Sequence, residues 1–130
     1  MELASQEILI VDDEAPLLRL MSMFLARTGY GAVTANTIEK AWEHLKAHPG
    51  QTTVVVLDAG MAATGVDDPV LEMLAFDAKL RVMVSSGYPV DMRALRQAAP
   101  DRVEFLHKPF SPDMLLEALR RMLGPEEKEV

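Results

Sequence analysis

The 130-residue chain contains no cysteine, which excludes a disulfide framework and any thiolate metal site and is compatible with a reducing compartment. No apolar run approaches the ~20 residues needed to span a bilayer. The first residues, Met1 to Glu7, lack a basic stretch followed by an apolar one and do not read as a secretion signal. A cytoplasmic protein without membrane attachment is therefore expected. Positive charge is in short supply: 13 Lys and Arg against 20 Asp and Glu leave a formal net charge of −7. Such a chain repels the phosphate backbone of nucleic acid, where clusters of Lys and Arg usually lead binding, so direct nucleic-acid binding is not expected. Internal repeats and low-complexity tracts are also absent. No glycine-rich phosphate loop follows the first apolar run; Asp12 and Asp13 stand there instead and would repel a diphosphate, which argues against a nucleotide-binding module.

What is present is the composition of an ordinary globular domain, 49% apolar and 25% charged, at a length that suits one domain of about 100–200 residues. Ile8–Val11 is a short, continuous, branched apolar run of the kind a strand buried on both faces of a parallel sheet requires. Val54–Leu57 and Arg81–Val84 repeat it, and Ala32–Thr34 and Val103–Leu106 are weaker versions. Helical period lies between them: Leu17, Leu20, Met21, Phe24 and Leu25 make one stripe, and Ile38, Ala41, Trp42 and Leu45 another. Pro49-Gly50 ends the second helix, Asp68-Pro69 reads as the start of a third, and Tyr88-Pro89 as the opening of a fourth. The last helix has a capping hydroxyl and a first-turn proline in Ser111-Pro112, a buried face of Leu115, Ala118, Leu119 and Met122, and a stop in Gly124-Pro125. Strict alternation of strand and helix predicts an α/β fold with right-handed crossovers and a parallel sheet covered on both faces. The domain is expected over residues 1–124, with a charged, frayed tail over 125–130.

In an open parallel sheet, ligands bind beyond the carboxyl ends of the strands. The residues that follow the apolar runs are Asp12, Asp13 and Glu14, then Asp58, then Ser85, Ser86 and Gly87, then Lys108-Pro109, and all should converge on one edge. Clustered carboxylates raise one another's pKa unless a cation neutralises them. A hard divalent ion suits such a set. Magnesium keeps several waters and takes one or two carboxylates, which fits Asp13 and Asp58 as direct ligands and Asp12 through water, with Lys108 as a second cation. Each piece has a plainer reading: Asp12 or Asp13 as a helix cap, Asp58 and Ser86-Gly87 as turn residues, Lys108 as a solvated loop end.

Taken together, Ile8-Leu9-Ile10-Val11-Asp12-Asp13-Glu14, Val54-Val55-Val56-Leu57-Asp58, Ser86-Gly87 and Phe105-Leu106-His107-Lys108-Pro109-Phe110 resemble the receiver-domain signature of bacterial two-component response regulators, over nearly the whole chain. The resemblance implies a flavodoxin-like, doubly wound five-stranded parallel sheet of strand order 2-1-3-4-5, an order the pattern alone does not supply. It implies Asp58 as phosphoacceptor, Asp12 and Asp13 holding Mg2+ with the backbone carbonyl of Gly60 completing the metal shell, Ser86 hydrogen-bonding a phosphoryl oxygen, and Lys108 pairing with the phosphate. Phe105 takes the place of the switch aromatic, whose rotamer accompanies the movement of Ser86; its plainer reading is a core phenylalanine. Gly60 and Tyr88 fall at positions that tune the lifetime of the phosphoryl group. The implied partners are a histidine kinase or a histidine phosphotransfer protein, with homodimerisation also open, and the implied activity is signalling rather than turnover of other substrates.

The chain departs from the family between Asp58 and the third helix, where Ala62 replaces the usual proline and Gly65 falls one residue early. Two rivals remain for comparison. A haloacid-dehalogenase-like phosphatase would need a second Asp two residues after Asp58, where Gly60 stands. A degenerate receiver would serve as an interaction module without taking phosphate. His44, His48 and His107 are too scattered for a metal site or phosphorelay, and the nine methionines read as packing filler.

Overall fold

The computed structural model describes residues 6–124; the charged tail expected over 125–130 lies outside the described residues. The elements run β1 (Glu7–Val11), α1 (Ala15–Arg27), β2 (Gly31–Ala35), α2 (Ile38–Ala47), β3 (Thr52–Asp58), a 3-10 turn (Ala59–Met61), α3 (Asp67–Phe76), β4 (Arg81–Ser86), α4 (Arg93–Ala98), β5 (Val103–His107) and α5 (Pro112–Leu123). All strand pairs are parallel, in the order β2-β1-β3-β4-β5. Every strand anticipated from the sequence is present; in β1, β3 and β4 the cause is a run of Val, Ile, Leu or Met buried on both faces of the sheet, whereas β2 and β5 are partly exposed edge strands. Alternation along the strands divides the core in two. Leu9, Val11, Val55, Leu57, Val82 and Val84 pack beneath α2, α3 and α4. Ile8, Ile10, Val54, Val56, Met83 and Leu106 pack beneath α1 and α5. No helix among the described residues is long and apolar enough to cross a membrane.

Three local readings are corrected. In α1, Leu18, Met21 and Leu25 are buried, whereas Leu20 is 51% exposed and Leu17 and Phe24 are half-buried. A helix turns 100° per residue, so the stripe assumed from Leu17 and Leu20 was rotated away from the true inner face by one residue. The helix near Tyr88-Pro89 begins only at Arg93. Val90 packs against the core before the helix opens, and the Asp91 carboxylate accepts the Arg93 N–H at 3.0 Å, supplying the start signal that Pro89 seemed to offer. Helix α3 begins at Asp67 behind a buried Val66, so Asp68 lies in its first turn, where the helix dipole favours it. The α5 termini are as read: Ser111 Oγ accepts the Met114 N–H at 3.2 Å, Pro112 sits in the first turn, and Gly124 closes the helix at φ 85.

Polar ties fix the edge of the sheet opposite the strand carboxyl ends. Glu7, only 8% exposed, accepts from Thr52 Oγ1 at 2.8 Å, Gln51 Nε2 at 2.9 Å and His44 Nε2 at 2.7 Å. Burial works to raise the Glu7 carboxyl pKa, but the donors from Gln51, His44 and Thr52 outweigh it and hold the value below normal. His44 thus has a structural partner that sequence reading did not foresee. Arg102, just ahead of β5, donates to the carbonyls of Leu80 at 2.9 Å, Leu74 at 3.0 Å and Asp77 at 2.6 Å, satisfying the end of α3 and the turn into β4.

The rotated α1 stripe gives a direct test. Leu18→Ala is expected to cost about 2–5 kcal/mol of stability as a core truncation, whereas Leu20→Ala should stay within about 0.5 kcal/mol. Urea unfolding of the two variants separates them.

Candidate functional site

The same alternation that divides the core sets the site. Ile10, Val56, Met83 and Leu106 face α1 and α5, so the residues two positions on, Asp12, Asp58, Ser85 and Lys108, share that face at the strand ends. The ladder continues far enough to hold them: the Asp12 N–H donates to Ala35 O at 3.1 Å and the Lys108 N–H to Ser86 O at 2.8 Å. Lys108 starts beyond β5 and reaches across the sheet. Its Nζ lies 2.8 Å from Asp12 Oδ2, 3.2 Å from Glu14 Oε1 and 3.7 Å from Asp58 Oδ1.

The acids differ in setting. Asp12 is 2% exposed and its Oδ1 accepts the Glu14 N–H at 3.0 Å. The N-cap of α1 is Glu14, with no side-chain capping bond, so neither Asp12 nor Asp13 serves as the helix cap. Asp58 is half-buried, and its Oδ1 accepts the Gly60 N–H at 3.3 Å. Burial pushes the Asp58 carboxyl above its ordinary 3.8; Gly60 and Lys108 pull it down, Asp12 and Asp13 push it further up, and the balance is a raised value. For Lys108, burial lowers the pKa, but the hydrogen bond and charge of Asp12, with Asp58 and Glu14 behind them, hold the ammonium above its ordinary value.

Asp12, Asp13 and Asp58 each bring a carboxylate oxygen within 4.8 Å of the others. Asp13 makes no hydrogen bond or ion pair among the described residues and is exposed. Three carboxylates against the one ammonium of Lys108 leave an excess of negative charge, and an all-oxygen donor set of this kind could hold a hard cation such as magnesium.

The other anticipated residues are placed as follows. Ser86 is buried but belongs to the opposite face of β4 from Asp58, with Val84, and its Oγ accepts the Tyr88 N–H at 3.0 Å. Phe105, half-buried, packs on that same face and pairs with Val84 across the ladder. Tyr88 is 80% exposed and stands at the rim of an open hollow of about 490 Å³ that Glu14, Leu17, Lys108, Pro109 and Phe110 also line. A Cβ built on Gly60 would lie 3.5 Å from Asp58 Oδ2, so any side chain there would meet the acid. The segment with the misplaced glycine is a closed turn: the Gly65 N–H donates to Ala62 O at 3.2 Å and Gly65 adopts φ 105, which glycine tolerates. Glu14 and Ser85 stand among the strand-end residues named from the sequence but carry no role there. Glu14 proves to accept from Lys108, and Ser85 lies on the Asp58 face, as counting the alternation forward from Met83 gives.

A sequence model of the response regulator receiver domain matches residues 8–120. The chain is 29% identical over 136 residues to response regulator GtcR of Aneurinibacillus migulanus, an alignment covering 97% of this chain and 54% of that protein. It is 26% identical over 125 residues to the chemotaxis protein CheY of Bacillus subtilis, covering 92% of this chain and 99% of that one. The chain thus spans about half the length of the first relative and nearly all of the second. Among solved structures, a response regulator receiver domain protein from Clostridium thermocellum superposes with TM-score 0.77 at 21% identity, over 96% of this chain and 99% of that one. The receiver domain of the hybrid histidine kinase CckA gives 0.74 at 23% identity, over 91% and 99%.

The raised Asp58 carboxyl has a consequence for stability. A group whose pKa is higher in the folded chain contributes stability that is complete below its unfolded value, near 3.8, and is lost as pH rises through the folded value. Asp58→Asn removes that loss. In metal-free buffer at neutral pH the variant should unfold at higher urea concentration than wild type, and the gap should close as pH falls below 3.8.

Proposed function

Because the chain belongs to the response regulator receiver domain family, we propose that it is the phosphoacceptor switch of a two-component phosphorelay, with Asp58 as the acceptor. The observation that carries this reading is the convergence on Asp58 of Asp12 and Asp13, within 4.8 Å, and of the Lys108 ammonium at 3.7 Å. An Asp58 carboxylate oxygen attacks the phosphorus of a phosphohistidine. The new P–O bond forms as the P–N bond breaks, and the electron pair returns to the imidazole of a histidine kinase or histidine phosphotransfer protein. Little covalent chemistry is asked of the protein beyond positioning and charge neutralisation. Lys108, held by Asp12 and Glu14, moves its ammonium onto the incoming phosphoryl oxygens, and Ser86 donates its hydroxyl to another. Asp13 and Asp58 would hold magnesium directly, with Asp12 through water and the Gly60 carbonyl, and the bound ion supplies positive charge against the phosphoryl oxygens.

Movement of Ser86 toward the phosphoryl group releases the Tyr88 N–H and opens space beside Phe105 on the shared face of β4 and β5. The output is a population shift on the α4, β5, α5 surface, used by a partner or a second copy of the chain. The switch occupies residues 1–124, with 125–130 as an appended charged tail, and it works in the cytoplasm without contacting nucleic acid itself.

Incubation with labelled acetyl phosphate and magnesium is expected to place one phosphoryl group on the wild type and none on Asp58→Asn. A wild type that folds yet takes no label would favour an interaction module that has lost its chemistry. Calorimetry should show magnesium affinity reduced at least tenfold in Asp13→Ala, roughly 1.4 kcal/mol or more.

Lifetime is set beside the acceptor. Gly60 offers no side chain to orient the hydrolytic water, Tyr88 stands at the rim of the hollow that Lys108 also lines, and the segment Ala62–Gly65 is closed by a hydrogen bond. A long-lived phosphoryl state follows. Gly60→Asn and Tyr88→Glu should each speed its loss by roughly three- to tenfold, the scale of one hydrogen bond in the barrier. Timed loss of label decides it, and unchanged decay in both variants would refute the shielding argument.

A further inference from the structure

Ser85 is the buried residue at the strand ends that the proposed chemistry leaves unused. It is 2% exposed, and its hydroxyl makes no hydrogen bond among the described residues, although a buried hydroxyl without a partner costs free energy. Its neighbours are fixed by register. Asp58 pairs with Ser85 across β3 and β4, and Ser85 with Leu106 across β4 and β5. Ser85 therefore stands on the same face as the acceptor, while Ser86 stands on the other. Lys108, two residues beyond Leu106, must pass over the Ser85 position to bring its Nζ within 3.7 Å of Asp58 and 2.8 Å of Asp12. Adjacent strands lie ~4.8 Å apart, so Ser85 and Asp58, paired in register, are same-face neighbours.

We propose that Ser85 is a positioning residue for the leaving group in dephosphorylation: its hydroxyl donates to the Asp58 oxygen that regains charge as the phosphoryl group departs. This rests on the phosphoacceptor reading of Asp58. In hydrolysis the oxygen of a water bonds to phosphorus as the P–Oδ bond breaks. The electron pair of that bond returns to the Asp58 carboxylate, and both water protons leave with inorganic phosphate, which sheds one to solvent according to pH. Negative charge grows on the carboxylate only in the transition state, so a donor aimed at it accelerates the step. In the reverse sense, loading consumes carboxylate charge, and the same donor gives it no help. The two rates should separate when the hydroxyl is removed, which a residue that merely fills space would not cause.

The test follows phosphoryl loading from labelled acetyl phosphate, and then decay after removal of the donor, in the full chain with magnesium. In Ser85→Ala, decay should slow by roughly three- to tenfold, the scale of one hydrogen bond, with loading no slower than wild type. Ser85→Thr should return decay to the wild-type rate. Ser85→Cys, near in size but a weak donor, should decay like the alanine variant, which covers the case in which alanine fails to fold. Unchanged decay in both the alanine and cysteine variants overturns the inference. So does a parallel fall of loading and decay that tracks a lowered urea midpoint. A wild type that takes no label overturns the phosphoacceptor reading itself, and this inference with it.

Discussion

Parallel strands that end together bring the first residues beyond them into one place, and here those residues are acids. Asp12 is almost completely buried, and a buried carboxylate without a counter-charge is strongly destabilising. The Lys108 ammonium, 96 positions away in the chain, resolves this by reaching from the end of β5 over β4 and β3 to Asp12 at the end of β1. The arrangement requires the order β2-β1-β3-β4-β5 and the continuation of the ladder at Asp12 and Lys108. One ammonium against Asp12, Asp13, Asp58 and Glu14 leaves the cluster short of positive charge, and such an all-oxygen set could hold a hard cation.

The opposite edge of the sheet follows another rule. Glu7 is saturated by His44, Gln51 and Thr52, and Arg102 spends its donors on three backbone carbonyls. Polar groups there are matched with partners and anchor the strands, whereas at the carboxyl ends Asp13 and the Ser85 hydroxyl remain unmatched among the described residues. Matched polar groups gather at one end of the strands and unmatched ones at the other.

Much of this was legible in the sequence. Apolar runs placed the strands, because a buried parallel strand has little freedom in composition, and the polar residues that follow β1, β3, β4 and β5 marked one edge of the sheet as the candidate site. The strand order came from family resemblance, since alternation alone is compatible with other windings. The α1 stripe was misread because Leu17, Leu18 and Leu20 are all apolar, and only packing against β1 and α5 selects Leu18. The start of α4 was misplaced because Pro89 resembles a helix opening, while Val90 is drawn into the core and Asp91 provides the hydrogen bond. Contacts such as Glu14 with Lys108, or Arg102 with Leu74, join residues whose nearness depends on the finished fold. Ser85 was legible in principle: two steps from Met83 lead to it.

Ser86 and Phe105 lie on one side of the sheet, and Asp58, Ser85 and Lys108 on the other. The sheet is therefore a partition with a single doorway, the end of β4, where two consecutive serines look into different rooms. Chemistry is enclosed on the side of α1 and α5, and the aromatic that would report it stands on the side of α2, α3 and α4. Any message between them must turn the corner at this two-residue sill. On the proposed function, substitutions around Phe105 remodel the surface offered to a partner from the face opposite Asp58, whereas those at Ser86 touch both rooms.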